Sequence, residues 1–122
     1  MQARAKPERA RDHNLFILQS ITYAMDNIIF EVVDKTGRKI HLTKERRSHI
    51  NNHHPDMSDK IEEIKLTLIK PALITPHKYD DNMRNYYRYQ KETHDYLIVI
   101  VKYLNNEGYV TSAFPTSKIM KK

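Results

Sequence analysis

The chain has no cysteine anywhere in its 122 residues. That excludes disulfides and thiolate metal sites. It fits a reducing compartment, so a cytoplasmic location is expected. The chain also lacks a long hydrophobic run. Residues 15–25, the longest apolar stretch near the N-terminus, are interrupted by Gln19, Ser20 and Thr22 and are too short to span a bilayer. A basic stretch ahead of an apolar one has the outline of a signal peptide. Glu8 and Asp12 fall in its charged part, however, and no small-x-small cleavage site follows, so none is expected. Internal repeats and low-complexity segments are missing too. The middle of the chain lacks net charge as well. The formal charge is +6, but Arg4, Lys6, Arg9 and Arg11 outweigh Glu8 at one end, and Lys118, Lys121 and Lys122 close the other. Residues 12–117 balance, so charge alone is weak support for a nucleic-acid partner.

What remains is one domain's length of chain, 39% hydrophobic and 30% charged. Residues 1–14 are polar, with Pro7 among them, and suggest a basic arm. It is either a solvated terminus or a segment that adds affinity for a polyanion. The single folded domain is expected over 15–122. Residues 15–25 are ambiguous between strand and helix. IIFEVV (28–33) is β-branched and predicts a strand. Asp34 to Gly37 predicts a turn and residues 38–42 a returning strand, giving an N-terminal hairpin. Thr43 caps a helix that must stop before Pro55. Ser58 is placed to cap a second helix over 59–70, with Ile61, Ile64, Leu68 and Ile69 as its apolar stripe. Pro71 ends it. Strands are then expected over 72–75, 83–90, 96–104 and 109–114, the last closed by Pro115. The expected fold is α+β, with two helices packed on one face of an antiparallel sheet and the other face free to hold a site.

The densest chemistry lies in HLTKERRSHINNHHPDM (41–57). His49, His53 and His54 can move protons near neutral pH, and Arg46 and Arg47 beside them can hold a phosphate. Cleavage of RNA through its own 2′-hydroxyl needs that division of labour: a base for the 2′-OH, an acid for the leaving 5′-oxygen, and cations for the phosphate. Taken singly, each histidine suits an ordinary helix surface or cap. Together with the arginines they point to function. His49 and His53, four apart, could share a metal ion, but position 50 is Ile rather than the Glu of HExxH, and a third ligand is not evident. Arg84, Tyr86 and Arg88 alternate onto one strand face, where two guanidiniums could fork onto a phosphate. Tyr87 and Tyr89 could stack on unpaired bases. The same pattern also suits a plain exposed sheet face. Thr111, Thr116, Ser117 and Lys118 bring hydroxyls and an ammonium to a strand end, or form a simple ST-turn there.

Together these stretches resemble the phage-associated nuclease families grouped with the barnase, EndoU, colicin and RelE-type ribonucleases (the BECR fold). The matching pieces are LTKERRSHI (42–50), HPDM (54–57), YYRY (86–89), YLIVIVK (96–102) and VTSAFPTSKI (110–119), within residues 38–119. His53 and the MRNYY stretch fall outside the pattern. The resemblance implies a toxin-like or phage-effector endoribonuclease that works without a metal or cofactor and leaves 2′,3′-cyclic phosphate ends. It implies catalytic roles for His49, His54, Arg88 and Thr116. RNA contacts would come from Arg46, Arg47, Arg84, Tyr87, Tyr89, Thr111, Ser117 and Lys118. Expected partners are tRNA or rRNA and an inhibitor or immunity protein, with no membrane. The alternative is a non-catalytic RNA- or partner-binding module on the same fold.

Overall fold

A computed structural model of the chain describes residues 27–119. The expected arm and the ambiguous stretch at 15–25 lie outside them. The described residues form an α+β domain: β1 (Ile28–Val33), β2 (Lys39–Thr43), α1 (Lys44–His53), a 3-10 turn (Pro55–Met57), α2 (Ile61–Ile69), β3 (Leu73–Pro76), β4 (Met83–Gln90), β5 (Asp95–Leu104) and β6 (Glu107–Thr116). The six strands make one sheet in the order β1-β2-β6-β5-β4-β3. The sheet is mixed, which corrects the antiparallel expectation. The last strand slots between β2 and β5 and runs parallel to β2. That pairing is short, Ile40 to Gly108 and His41 to Tyr109. Gly108 permits it: a Cβ there would sit 2.4 Å from Ile40 Cδ1 and 2.8 Å from Val101 Cγ1.

After His41 the pairing of β2 with β6 stops, and beyond Thr43 the chain becomes α1, which packs along the next stretch of β6. α1 is anchored by little apolar surface, since Ile50 is its one buried residue. Its start is fixed by Thr43, whose hydroxyl accepts from the Arg46 backbone N–H at 3.2 Å, with Glu45 in the first turn where the helix dipole favours a carboxylate. Pro55 ends it by steric exclusion of the helical conformation at His54, which takes φ −137 and ψ 78. The outer face of α1 is therefore left to solvent.

The second helix starts later than the sequence suggests. Pro55–Met57 closes a 3-10 turn, so the N–H groups of Ser58 and Lys60 donate to Pro55 and Met57 carbonyls. Ser58 belongs to that turn, and Lys60 takes the N-cap position of α2. The buried stripe of α2 is Ile64, Thr67 and Leu68, whereas Ile69 is exposed. Thr67 enters the core because its hydroxyl donates to the Glu63 carbonyl at 2.7 Å. The core joins Ile64 and Leu68 to Phe30, Ile40, Leu42, Ile50, Met57, Tyr86, Leu97, Val99, Val101, Val110 and Ala113. Truncating a fully buried member such as Leu68 to alanine costs about 2–5 kcal/mol.

β4 alternates as expected, but its two faces are not arranged as expected. Tyr86 belongs to the helix-covered core, so Arg84 and Arg88 flank a buried ring rather than share an open face. On the opposite face Tyr87, Asn85 and Ile98 are buried as well, so that face is not free at its centre. Pro115 does not end the last strand either. It pairs opposite Leu97, and β6 continues to Thr116.

Candidate functional site

Because α1 runs beside β6, its C-terminal end reaches the end of that strand. The His54 ring stacks on Phe114 at 4.9 Å between centroids and 20° between planes. Thr116 lies two residues further along β6. In the next two strands Leu97 pairs with Pro115, and Arg88 pairs with Leu97. Arg88 thus stands level with this corner, roughly 10 Å across the sheet at the usual strand spacing. One end of the sheet carries an imidazole, a guanidinium and a hydroxyl, all at half-buried residues. Strand alternation, however, puts Arg88 with Leu97 on the helix-covered face, and Phe114 and Thr116 with Ile98 and Tyr96 on the other.

His49 and His54 do not share a helix face, since five residues turn a helix by about 140°. His49 instead meets His53, with ring centroids 4.3 Å apart, and His53 Nδ1 lies 3.0 Å from the His49 carbonyl oxygen. Both are exposed. His53, unplaced by the resemblance, is thus the histidine that His49 pairs with. Its i, i+4 spacing was the signal available in the sequence. Arg46 is exposed and Arg47 half-buried on the same helix.

The remaining expected contacts divide. Tyr89 is exposed at 44%, edge-on to Tyr96, and suits base stacking. Tyr87 is 0% exposed, so its ring offers no face to a base, and that role is corrected. Thr111 donates its hydroxyl to the Ile100 carbonyl at 3.1 Å beside a β-bulge. Thr116 donates to the Lys118 carbonyl and receives the Lys118 N–H, an ST-turn of the plain kind. Ser117 and Lys118 are exposed beyond it. Arg84 and Arg88 are four residues apart on an extended strand, about 13 Å, and cannot fork onto one phosphate.

Arg84 belongs to a second polar cluster that has no signature in the sequence. Asp34, in the turn between β1 and β2, is buried. One of its oxygens accepts from the Thr36 N–H, the Thr36 hydroxyl and the Arg38 N–H at 2.7–2.9 Å. The other accepts from the Tyr86 hydroxyl, which also bonds the Tyr103 hydroxyl. β2, β6 and β5 separate β1 from β4, so this relay requires the sheet to curl around α2. Burial, followed by its hydrogen bonds to Asp34 and Tyr103, pushes the Tyr86 hydroxyl far above the usual phenol range. Burial also raises Tyr103, although Tyr86, Arg38 and Arg84 pull the other way.

His41, at the start of the histidine-rich stretch, serves the sheet. It is buried, with Nε2 2.6 Å from a Glu107 carboxylate oxygen, Nδ1 3.5 Å from Glu31, and its ring stacked on Tyr109. Among the described residues, no three His, Asp or Glu side chains converge as metal ligands would. No helix among them is long and apolar enough to cross a membrane. No protein-family model matches the chain, and no curated protein matches it.

Proposed function

We propose that this protein is an endoribonuclease of toxin or phage-effector type, cutting RNA by attack of the 2′-hydroxyl on the adjacent phosphate. The observation that supports this reading is the corner where His54 seats on Phe114 beside Thr116, with the exposed Tyr89 in register with Thr116 on the same face and Arg88 at the same end of the sheet on its other face. An imidazole can relay the proton, and a guanidinium can hold the phosphate as charge builds on its oxygens. Arg46 and Arg47 on α1, Tyr89 on β4 and Lys118 after β6 would extend the grip on a single strand. The reading carries the nuclease fold of the barnase and RelE type, tRNA or rRNA as substrate in the cytoplasm, and an inhibitor protein that restrains the activity.

The test is incubation with a mixed tRNA and rRNA pool in excess EDTA, beside His54→Ala, with the ends mapped. Cyclic-phosphate ends from the parent alone are expected. Equal cleavage by both would remove His54 from the reaction. A second reading, an RNA-binding module without catalysis, draws on the Thr111 and Thr116 hydroxyls being engaged with backbone groups. It predicts salt-sensitive binding with the RNA recovered intact.

A further inference from the structure

At the opposite end of β4 from Arg88, the curled sheet leaves an open cleft of about 330 Å³. Its walls carry Arg38, Arg84 and Tyr103, with three carboxamides from Asn82, Asn105 and Asn106. Both guanidiniums are held in place before any ligand arrives. Arg38 lies over the Tyr103 ring at 4.4 Å, and its backbone N–H is tied to Asp34. Arg84 donates through one Nη to the carbonyls of Asp81 and Met83, both at 2.8 Å. The backbone that carries the asparagines is fixed as well. Asn105 and Asn106 form the two-residue turn between β5 and β6 with φ of 54 and 71, the left-handed pair that a tight hairpin requires.

We propose that this cleft binds a phosphoryl group. Two arginine forks facing one space can bond several oxygens of a tetrahedral dianion, whereas a carboxylate is satisfied by one. The carboxamide N–H groups add donors without charge. The lining is donor-rich and contains one carboxylate, Asp81, so it suits an anion rather than a cation. Neighbouring Asp80 is neutralised by Lys102 at 2.5 Å. The site does not depend on the ribonuclease reading, because Arg38, Tyr103 and the two turn asparagines take no part in it.

The experiment is an amide and arginine side-chain NMR titration of the full chain with inorganic phosphate, at ionic strength held constant with sodium chloride. Saturable shifts at Arg38, Arg84, Asn105 and Asn106 are expected. Arg84→Met and Arg38→Met should each weaken binding at least tenfold, and Asp81→Asn should tighten it. Either arginine variant suffices if the other fails to fold. Lys35→Met removes a charge from the same turn outside the cleft, and should leave phosphate binding within twofold. Absence of saturable shifts overturns the proposal, as does an equal loss in Lys35→Met. A parallel titration with hexauridylate distinguishes the sources. Shifts at the same four residues assign the site to RNA phosphates, and shifts with phosphate alone assign it to a small phosphorylated compound.

Discussion

Arg84 and Arg88 sit on one strand and face the same way, yet they belong to two ends of the sheet built on opposite terms. At the Arg88 end, the His54 ring stacks on Phe114, and His49 and His53 lean on each other in solvent. At the Arg84 end, Asp34, Tyr86 and Tyr103 spend their polar atoms on one another inside the fold. A group whose lone pairs are already engaged makes a frame. A group that keeps a titratable nitrogen at the surface can do chemistry. The comparison separates the part of the molecule that would react under the proposed function from the part that holds it in shape.

The strongest way to break that comparison is Asp34→Ala. It removes the acceptor for two backbone N–H groups and two hydroxyls, one of them buried. Bonds to a buried carboxylate are worth more than neutral ones, so a loss of about 3 kcal/mol is expected. Urea unfolding measures it as a lower midpoint at unchanged slope. A loss below about 1 kcal/mol would mean that the relay does not tie the turn to β4. Next comes His54→Ala, expected to cost about 10²-fold in RNA cleavage, or about 2.7 kcal/mol, with little change in stability. His53→Ala should cost less than about tenfold. The reverse order would move the reaction from the Phe114 corner to the exposed His49–His53 pair.

The two ends also differ in how much of them the sequence disclosed. The α1 cluster was legible because its cues are local: a Thr cap, a Glu in the first turn, a proline stop, and three histidines in a short span. Which histidine faces the sheet was hidden, because it depends on α1 lying beside β6. That in turn depends on the parallel insertion of β6, made between residues far apart in the chain. The alternation of β4 was legible too. Tyr86 reads as a surface residue because a tyrosine between two arginines looks polar, and its buried partners lie 52 and 17 residues away. No periodicity encodes such a bond. Ser58 misled for a local reason: a serine ahead of acidic residues is a fair cap, but the 3-10 turn had already claimed its backbone.

A smaller effect sharpens the frame side. Tyr103→Phe keeps the ring under Arg38 and removes one hydroxyl from the relay, which should cost about 1 kcal/mol. It should also change the alkaline limb. Tyr86 and Tyr103 have folded pKa values above the unfolded one, so the fold prefers the protonated phenols. Below about pH 10 both states hold those protons and the stability is complete. As pH rises beyond that, the unfolded chain ionises first and stability falls. With Tyr103 replaced, unfolding midpoints measured from pH 8 to 11 should decline less steeply. An unchanged slope would mean that Tyr103 ionises as freely in the fold as outside it.

The least costly change tests whether the rim of the Arg84 end belongs to the frame at all. Asp80 is held below the usual carboxylate range, first by its hydrogen bond from Lys102 and then by the Asn82 N–H. A depressed folded pKa contributes stability above the unfolded value, and that contribution is lost as pH falls through the folded value. Both side chains are about one-third exposed, 34% for Lys102 and 30% for Asp80, so solvent and salt screen the pair and little stability is at stake. Lys102→Met should therefore return the Asp80 titration, followed by carboxyl carbon NMR, toward the ordinary carboxylate range. The urea midpoint at neutral pH should stay almost where it was. A large fall in that midpoint would mean that the pair braces the 80–82 turn, and the frame would then extend from the buried relay out to the lip of the cleft.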